Sequence, residues 1–180
     1  MPDAACRRSR RRRVLLAVLG MSMVVGAGLA PTLGQFASVR AYLVPTNSMM
    51  PTLRPGDRVQ ADDAGGADPK RGEVWVLLGP PKLFPGGGTL VKRVIGLPGE
   101  TVEVRSGRVL IDGRPIAEPY LAAPGTYSMP ARRLGPGEYL VLGDNRDASN
   151  DSHVWGPATR DQFLGRARLR FWPPGRLGGL

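Results

Sequence analysis

From Val14 to Ala30 the chain carries no charged residue, and none appears until Arg40. Those seventeen residues sit at the lower limit for a helix crossing about 30 Å of hydrocarbon, and continuation through Phe36 gives comfortable length. After Ser38 the pattern changes to short, branched runs punctuated by Gly and Pro, without sustained helical periodicity. Strands are expected at Ala41 to Val44, Asp57 to Ala61, Glu73 to Leu78, Thr89 to Ile95, Thr101 to Arg105, Arg108 to Ile111, Tyr139 to Leu142 and Leu164 to Phe171. Ser106-Gly107 and Asp112-Gly113 have hairpin-turn chemistry, while residues 62–72 and 79–88 are Gly/Pro-rich loops. In Arg166 to Phe171 arginines alternate with apolar residues, which predicts arginines toward solvent and Ala167, Leu169 and Phe171 inward. The pattern as a whole predicts a mostly β protein: a single N-terminal transmembrane helix followed by a compact antiparallel β-sheet or barrel-like domain.

Charge sharpens that division. Formal net charge is +10, and half of it lies in residues 1–37, where Arg7, Arg8 and Arg10 to Arg13 face only Asp3. A basic flank before an apolar span stays in the cytoplasm, so the domain beyond it is expected outside the cell membrane. The expected organisation is a basic tail at 1–13, an anchor at 14–36 and an extracytoplasmic β domain at 37–180. Gly28-Leu29-Ala30 is like a small-residue cleavage site, but Pro31 fits poorly after a cut, which favours an uncleaved anchor. Cys6 is the only cysteine, so neither an internal disulfide nor a cysteine metal site can form. The remainder is only mildly basic, and no nucleic-acid partner is expected.

Lys92 is one of three lysines among 25 Lys and Arg residues, in a chain that otherwise uses arginine for positive charge. Arginine cannot release its proton, whereas a desolvated lysine can. A period of two places Lys92 on the face of Leu90 and Val94, where burial would favour the neutral amine, a competent general base. Lysines on half-buried strands also extend their heads to water, so the position alone decides nothing.

Ser48 lies in Pro45-Thr46-Asn47-Ser48-Met49-Met50-Pro51, where flanking prolines stiffen the backbone. The nucleophile elbow is absent, since Thr46 and Met50 occupy its glycine places, and Pro51 stands where penicillin-binding enzymes have lysine. His153 is the single histidine, which excludes zinc sites built on two. Asp147-x-Ser149-x-Asp151 starts like a calcium loop, but Ser152 and Ala158 stand where glycine and glutamate are needed.

Together, Ser48-Met49-Met50-Pro51-Thr52-Leu53, Lys92-Arg93-Val94-Ile95-Gly96-Leu97-Pro98-Gly99-Glu100 and Gly143-Asp144-Asn145-Arg146-Asp147-Ala148-Ser149-Asn150-Asp151-Ser152 resemble, in this order, the bacterial type I signal peptidases, membrane-bound Ser/Lys serine proteases. The match covers the anchor and nearly all of residues 40–172. The resemblance implies Ser48 as nucleophile and Lys92 as general base, with the Ser48 N–H and the Thr46 hydroxyl as oxyanion donors. It implies that Ser149 orients the lysine amine and that Asp144 with Arg93, and Asp151 with His153, form supporting ion pairs. Arginine is usual at 153 in that family, so here the second pair would weaken above roughly pH 6.5, the reference histidine value.

Tyr42, Val44, Met49, Leu53, Leu90 and Val91 match pockets for small side chains beside an extended substrate. Residues 101–138 carry a short hairpin and loop where some relatives hold a large extra domain. The implied partners are exported preproteins cut after Ala-x-Ala signals, the lipid bilayer and the export machinery. No cofactor or metal is implied. A dedicated processing peptidase of the same family, as in pilus maturation, and a non-catalytic, membrane-tethered peptide-binding module remain open readings.

Overall fold

The computed structural model describes residues 39–180. The expected tail and anchor lie outside the described residues, and among those described no helix is long and apolar enough to cross a membrane. Among the described residues twelve strands follow one another: β1 (Val39–Leu43), β2 (Arg58–Asp63), β3 (Val74–Leu78), β4 (Thr89–Gly96), β5 (Thr101–Arg105), β6 (Arg108–Ile111), β7 (Arg114–Pro115), β8 (Met129–Arg133), β9 (Glu138–Leu142), β10 (Ala158–Thr159), β11 (Phe163–Trp172) and β12 (Gly178–Gly179). One four-residue α-helix, α1 (Ser152–Trp155), sits between β9 and β10.

The strands form two antiparallel sheets. The larger runs β1-β2-β11-β3-β4-β9-β10, with β12 attached to β11, and the smaller runs β7-β6-β5-β8. The mostly β, antiparallel architecture expected from the chain is therefore present.

β4 explains why the sheets meet where they do. Its second half, Lys92 to Gly96, is buried throughout, and such a strand needs cover on both faces. Val94 packs with Trp75, Leu77, Tyr139, Val141, Ala158 and Phe163. Ile95 packs with Leu140 and Leu142 against Val102, Val104, Val109 and Ile111 of the smaller sheet. Each large aliphatic side chain withdrawn from water contributes roughly 1.5–3 kcal/mol. Edge-on aromatic contacts, Trp75 to Phe163 at 5.6 Å and Tyr139 to Phe163 at 5.1 Å, fix the first cluster.

Two differences from the sequence pattern have physical causes. β8 escaped notice because four of its five residues are exposed, so no apolar alternation marks it; with it, residues 101–138 hold a small sheet rather than only a hairpin and loop. In β11 the arginines do not all face solvent. Register shifts between Ala167 and Leu169 and between Arg170 and Trp172 break the alternation. Arg166 pairs with Glu73 at 2.6 Å, and Arg170 donates to the carbonyls of Thr52 and Arg176.

Candidate active site

The Ser48 loop leaves β1 and is tied at its base before it turns. Val44 N–H donates to Asp57 O and Gly56 N–H donates to Val44 O, both at 2.9 Å, and Leu53 N–H donates to Met49 O at 2.8 Å. Met49 and Leu53 are wholly buried with Val44, Val59, Val74 and Ala167, so the residues around the serine are pinned by packing. The polar turn after β9 holds the loop from the other side. Asn145 N–H donates to Ser48 O at 3.0 Å, and its side-chain amide donates to Asn47 O at 3.2 Å. Gly143 permits this approach, because a Cβ there would lie 2.4 Å from Ser48 O and 2.2 Å from Ser149 Oγ.

Lys92 pairs across the sheet with Trp75 and is only 3% exposed. Its Nζ donates to Ser48 Oγ at 2.8 Å, across 44 residues of sequence. Burial pushes the amine below its ordinary value, opposed by the charges of Asp151 and Asp144. A neutral amine in hydrogen-bonding reach of a hydroxyl can accept its proton. Thr46 Oγ1 lies 3.1 Å from Ser48 Oγ, on the exposed side of the loop.

Around this pair the other expected residues fall in distinct places. Arg93 grips Asp144 with two bonds, Nε to Oδ1 at 2.8 Å and Nη2 to Oδ2 at 2.6 Å. Asp151 caps α1 and contacts the His153 ring nitrogen at 2.7 Å, while its other oxygen accepts from Gly143 N–H. The His153 ring stacks on Tyr127 at 4.1 Å.

Ser149 is buried in the same turn, but its hydroxyl makes no hydrogen bond to Lys92 or to any other group. Of the pocket residues, Val44, Met49 and Leu53 form one cluster, with Tyr42 and Val91 packed against it. Leu90 packs with the Trp75 cluster instead.

The family model described as signal peptidase, peptidase S26, matches residues 15–172. The chain belongs to this family. Signal peptidase I of Leptolyngbya laminosa is 40% identical over 168 residues, covering 90% of this chain and 80% of that one. Probable signal peptidase I-1 of Synechocystis is 40% identical over 165 residues, covering 88% and 83%. Signal peptidase IB of Staphylococcus aureus is 33% identical over 175 residues, covering 85% and 87%. As a member of the signal peptidase I family the protein is a serine endopeptidase.

Four residues around the Ser48–Lys92 pair had no role assigned from sequence. Thr52 donates to Asp144 Oδ2 at 2.5 Å and was visible only as part of the serine stretch. Arg146 stood in the turn stretch, where its nearly complete burial could not be read. Glu118 and Tyr120, which engage the two arginines, lie in a connection with no pattern to mark them.

Burial of Lys92 has a consequence for stability. Its folded pKa lies below the unfolded value of about 10.4, so as pH falls the unfolded chain takes up the proton first. Stability fully present above about pH 10.4 is then lost as pH falls through the folded pKa. Lys92→Met removes this dependence, so its melting temperature relative to wild type should rise between pH 11 and pH 8. Calorimetry across that interval checks it, and a constant difference would show that burial does not depress the amine.

Proposed function

We propose that this protein removes signal peptides from exported preproteins, with Ser48 as nucleophile and Lys92 as general base. The observation that carries the reading is the 2.8 Å contact between a buried lysine amine and the serine hydroxyl. In this scheme Lys92 takes the Ser48 proton as Oγ attacks the scissile carbonyl. The oxyanion is met by the Ser48 N–H and the Thr46 hydroxyl. Lys92 returns its proton to the leaving amine, then draws one from the water that hydrolyses the ester. Arg93 with Asp144, and Asp151 with His153, hold the strand and turn beneath the pair. Ser149 is assigned to orienting the lysine amine once substrate closes the site.

The substrate lies as an extended strand beside β1 and β4, with small side chains over the surface formed by Tyr42, Val44, Met49, Leu53, Leu90 and Val91. Val44, Met49 and Leu53 are themselves buried, so the proposed surface would take small side chains, in keeping with a cut after Ala-x-Ala. Residues 14–36 anchor the protein in the cell membrane as a single pass, with tail 1–13 in the cytoplasm and residues 37–180 outside. That placement puts the site beside the bilayer and the export machinery, where signal peptides emerge.

The test is cleavage of a preprotein with an Ala-x-Ala signal end by the detergent-purified full chain, followed by N-terminal sequencing of the product. A single cut after the last alanine is expected, lost when that alanine is replaced by leucine. No cut in any preprotein, or equal cutting of the leucine variant, would overturn the reading.

A further inference from the structure

The connection between β7 and β8 lies across the polar turn and reaches both arginines of the site. Glu118 accepts from Arg146 Nη1 at 3.2 Å and also pairs with Nη2, and the side chains are 7% and 1% exposed. Arg146 in turn donates through Nε to Gly143 O at 3.2 Å. Tyr120 OH donates to Glu118 Oε1 at 2.8 Å, and the Arg93 guanidinium lies 4.0 Å over the Tyr120 ring.

The segment is docked at two further points. Gly125 is packed so tightly on Arg146 that a Cβ would lie 2.7 Å from the arginine Cβ. Thr126 donates through N–H and Oγ1 to Asp147 Oδ1, at 2.8 and 3.0 Å. Burial and then the Glu118 charge push the Tyr120 hydroxyl well above its ordinary value, so it remains a donor.

We propose that Glu118 and Tyr120 are positioning residues for the Ser48–Lys92 pair, locking Arg93 onto Asp144 and Arg146 onto Gly143 so that strand β4 and the serine-holding turn keep one spacing. Lys92 is the chain neighbour of Arg93, and Asn145, which grips Ser48 O, lies between Asp144 and Arg146. A circuit of contacts, from Asp144 to Arg93, from Arg93 to the Tyr120 ring, from Tyr120 OH to Glu118, from Glu118 to Arg146 and from Arg146 to Gly143 O, the chain neighbour of Asp144, therefore links the lysine strand to the serine-holding turn. Burying these charges is expensive, and apolar residues would stabilise the fold at least as well. What the circuit supplies is a fixed geometry. The inference rests on the roles proposed for Ser48 and Lys92.

The test compares Tyr120→Leu, Tyr120→Phe and Glu118→Gln in the full detergent-purified chain. Tyr120→Leu should lower kcat about tenfold at pH 7 with KM nearly unchanged, as expected for a sub-ångström loss of alignment. Tyr120→Phe, which keeps the ring over Arg93, should restore most of it.

The acid limb of kcat/KM provides a readout that a purely structural role would not move. The charged groups facing Lys92 are Asp144 and Asp151, partnered by Arg93 and His153. Loosening Arg93 leaves Asp144 less neutralised, which favours the ammonium form and moves the limb to higher pH. Unchanged kcat in Tyr120→Leu, no recovery in Tyr120→Phe, or an unmoved limb would overturn the proposal. If Tyr120→Leu does not fold, Glu118→Gln decides, with the same losses expected and unaltered kinetics overturning it.

Trace acetylation resolved by mass spectrometry keeps this test separate from the function itself, with exposed Lys70 and Lys82 as standards. The pH at which Lys92 becomes reactive should rise in Tyr120→Leu or Glu118→Gln, and an unchanged value overturns the positioning role. A wild type that cuts no preprotein sinks the peptidase reading while this measurement still decides the positioning role.

Discussion

Lys92→Met should lower kcat by about 10²–10⁴-fold with KM little changed, the range expected for removal of a positioned general base. The methionine keeps the bulk of the stem between Trp75 and Ser48, so lost packing cannot account for such a fall. Lys92→Arg separates the two remaining explanations. If the residue acts through positive charge alone, arginine should preserve activity; if it acts by taking a proton, arginine should be as inactive as methionine, because a guanidinium does not deprotonate in a protein.

Ser48→Ala combined with Lys92→Met should be scarcely worse than either alone, since each loss already removes the same step. Single-turnover cleavage of an Ala-x-Ala preprotein measures all four proteins. Retention of more than a tenth of wild-type kcat by Lys92→Met would reduce Lys92 to a packing residue.

The pairing of Ser48 with Lys92 was legible through the resemblance carried by the three stretches together, to which each half added only a local mark that decided nothing alone. One was a lysine where the chain otherwise spends arginine, on a strand whose period turned it inward. The other was a serine between prolines. Arg93 with Asp144 and Asp151 with His153 also came from the resemblance; in the structure Arg93 donates to Asp144 and the His153 ring contacts Asp151.

What was illegible depends on approach across the chain. Glu118 and Tyr120 lie in an irregular connection without periodicity, and their arginine partners, Arg146 and Arg93, are 28 and 27 residues away in sequence. β8 is nearly all exposed, and β7, β10 and β12 have two residues each, too few to show any period. The β11 arginines were misplaced because bulges shift register, and a bulge leaves no mark in an alternating run.

Arg93→Met should cost about 3–5 kcal/mol of stability, the loss expected when one partner of a buried ion pair is left alone. Asp144, 2% exposed, would retain only the Thr52 hydroxyl as a side-chain partner. Domains of this kind have roughly 5–15 kcal/mol in total, so the variant should remain folded in the cold with a melting temperature lower by about 10 °C or more.

Asp144→Asn should also destabilise, because Arg93 then keeps its charge in a buried place with one weak carbonyl-type partner and Gly72 O at 2.6 Å. The double variant Arg93→Met, Asp144→Asn separates a pair from two independent residues. With no unpaired charge left, its loss should fall short of the sum of the single losses by about 2 kcal/mol or more. Denaturant melts of the four proteins at pH 7 give the cycle. Simple additivity would mean that the two bonds between Arg93 and Asp144 hold nothing that each side chain does not hold alone, and the spacing of β4 from the serine-holding turn would have to be set by the apolar clusters on either side.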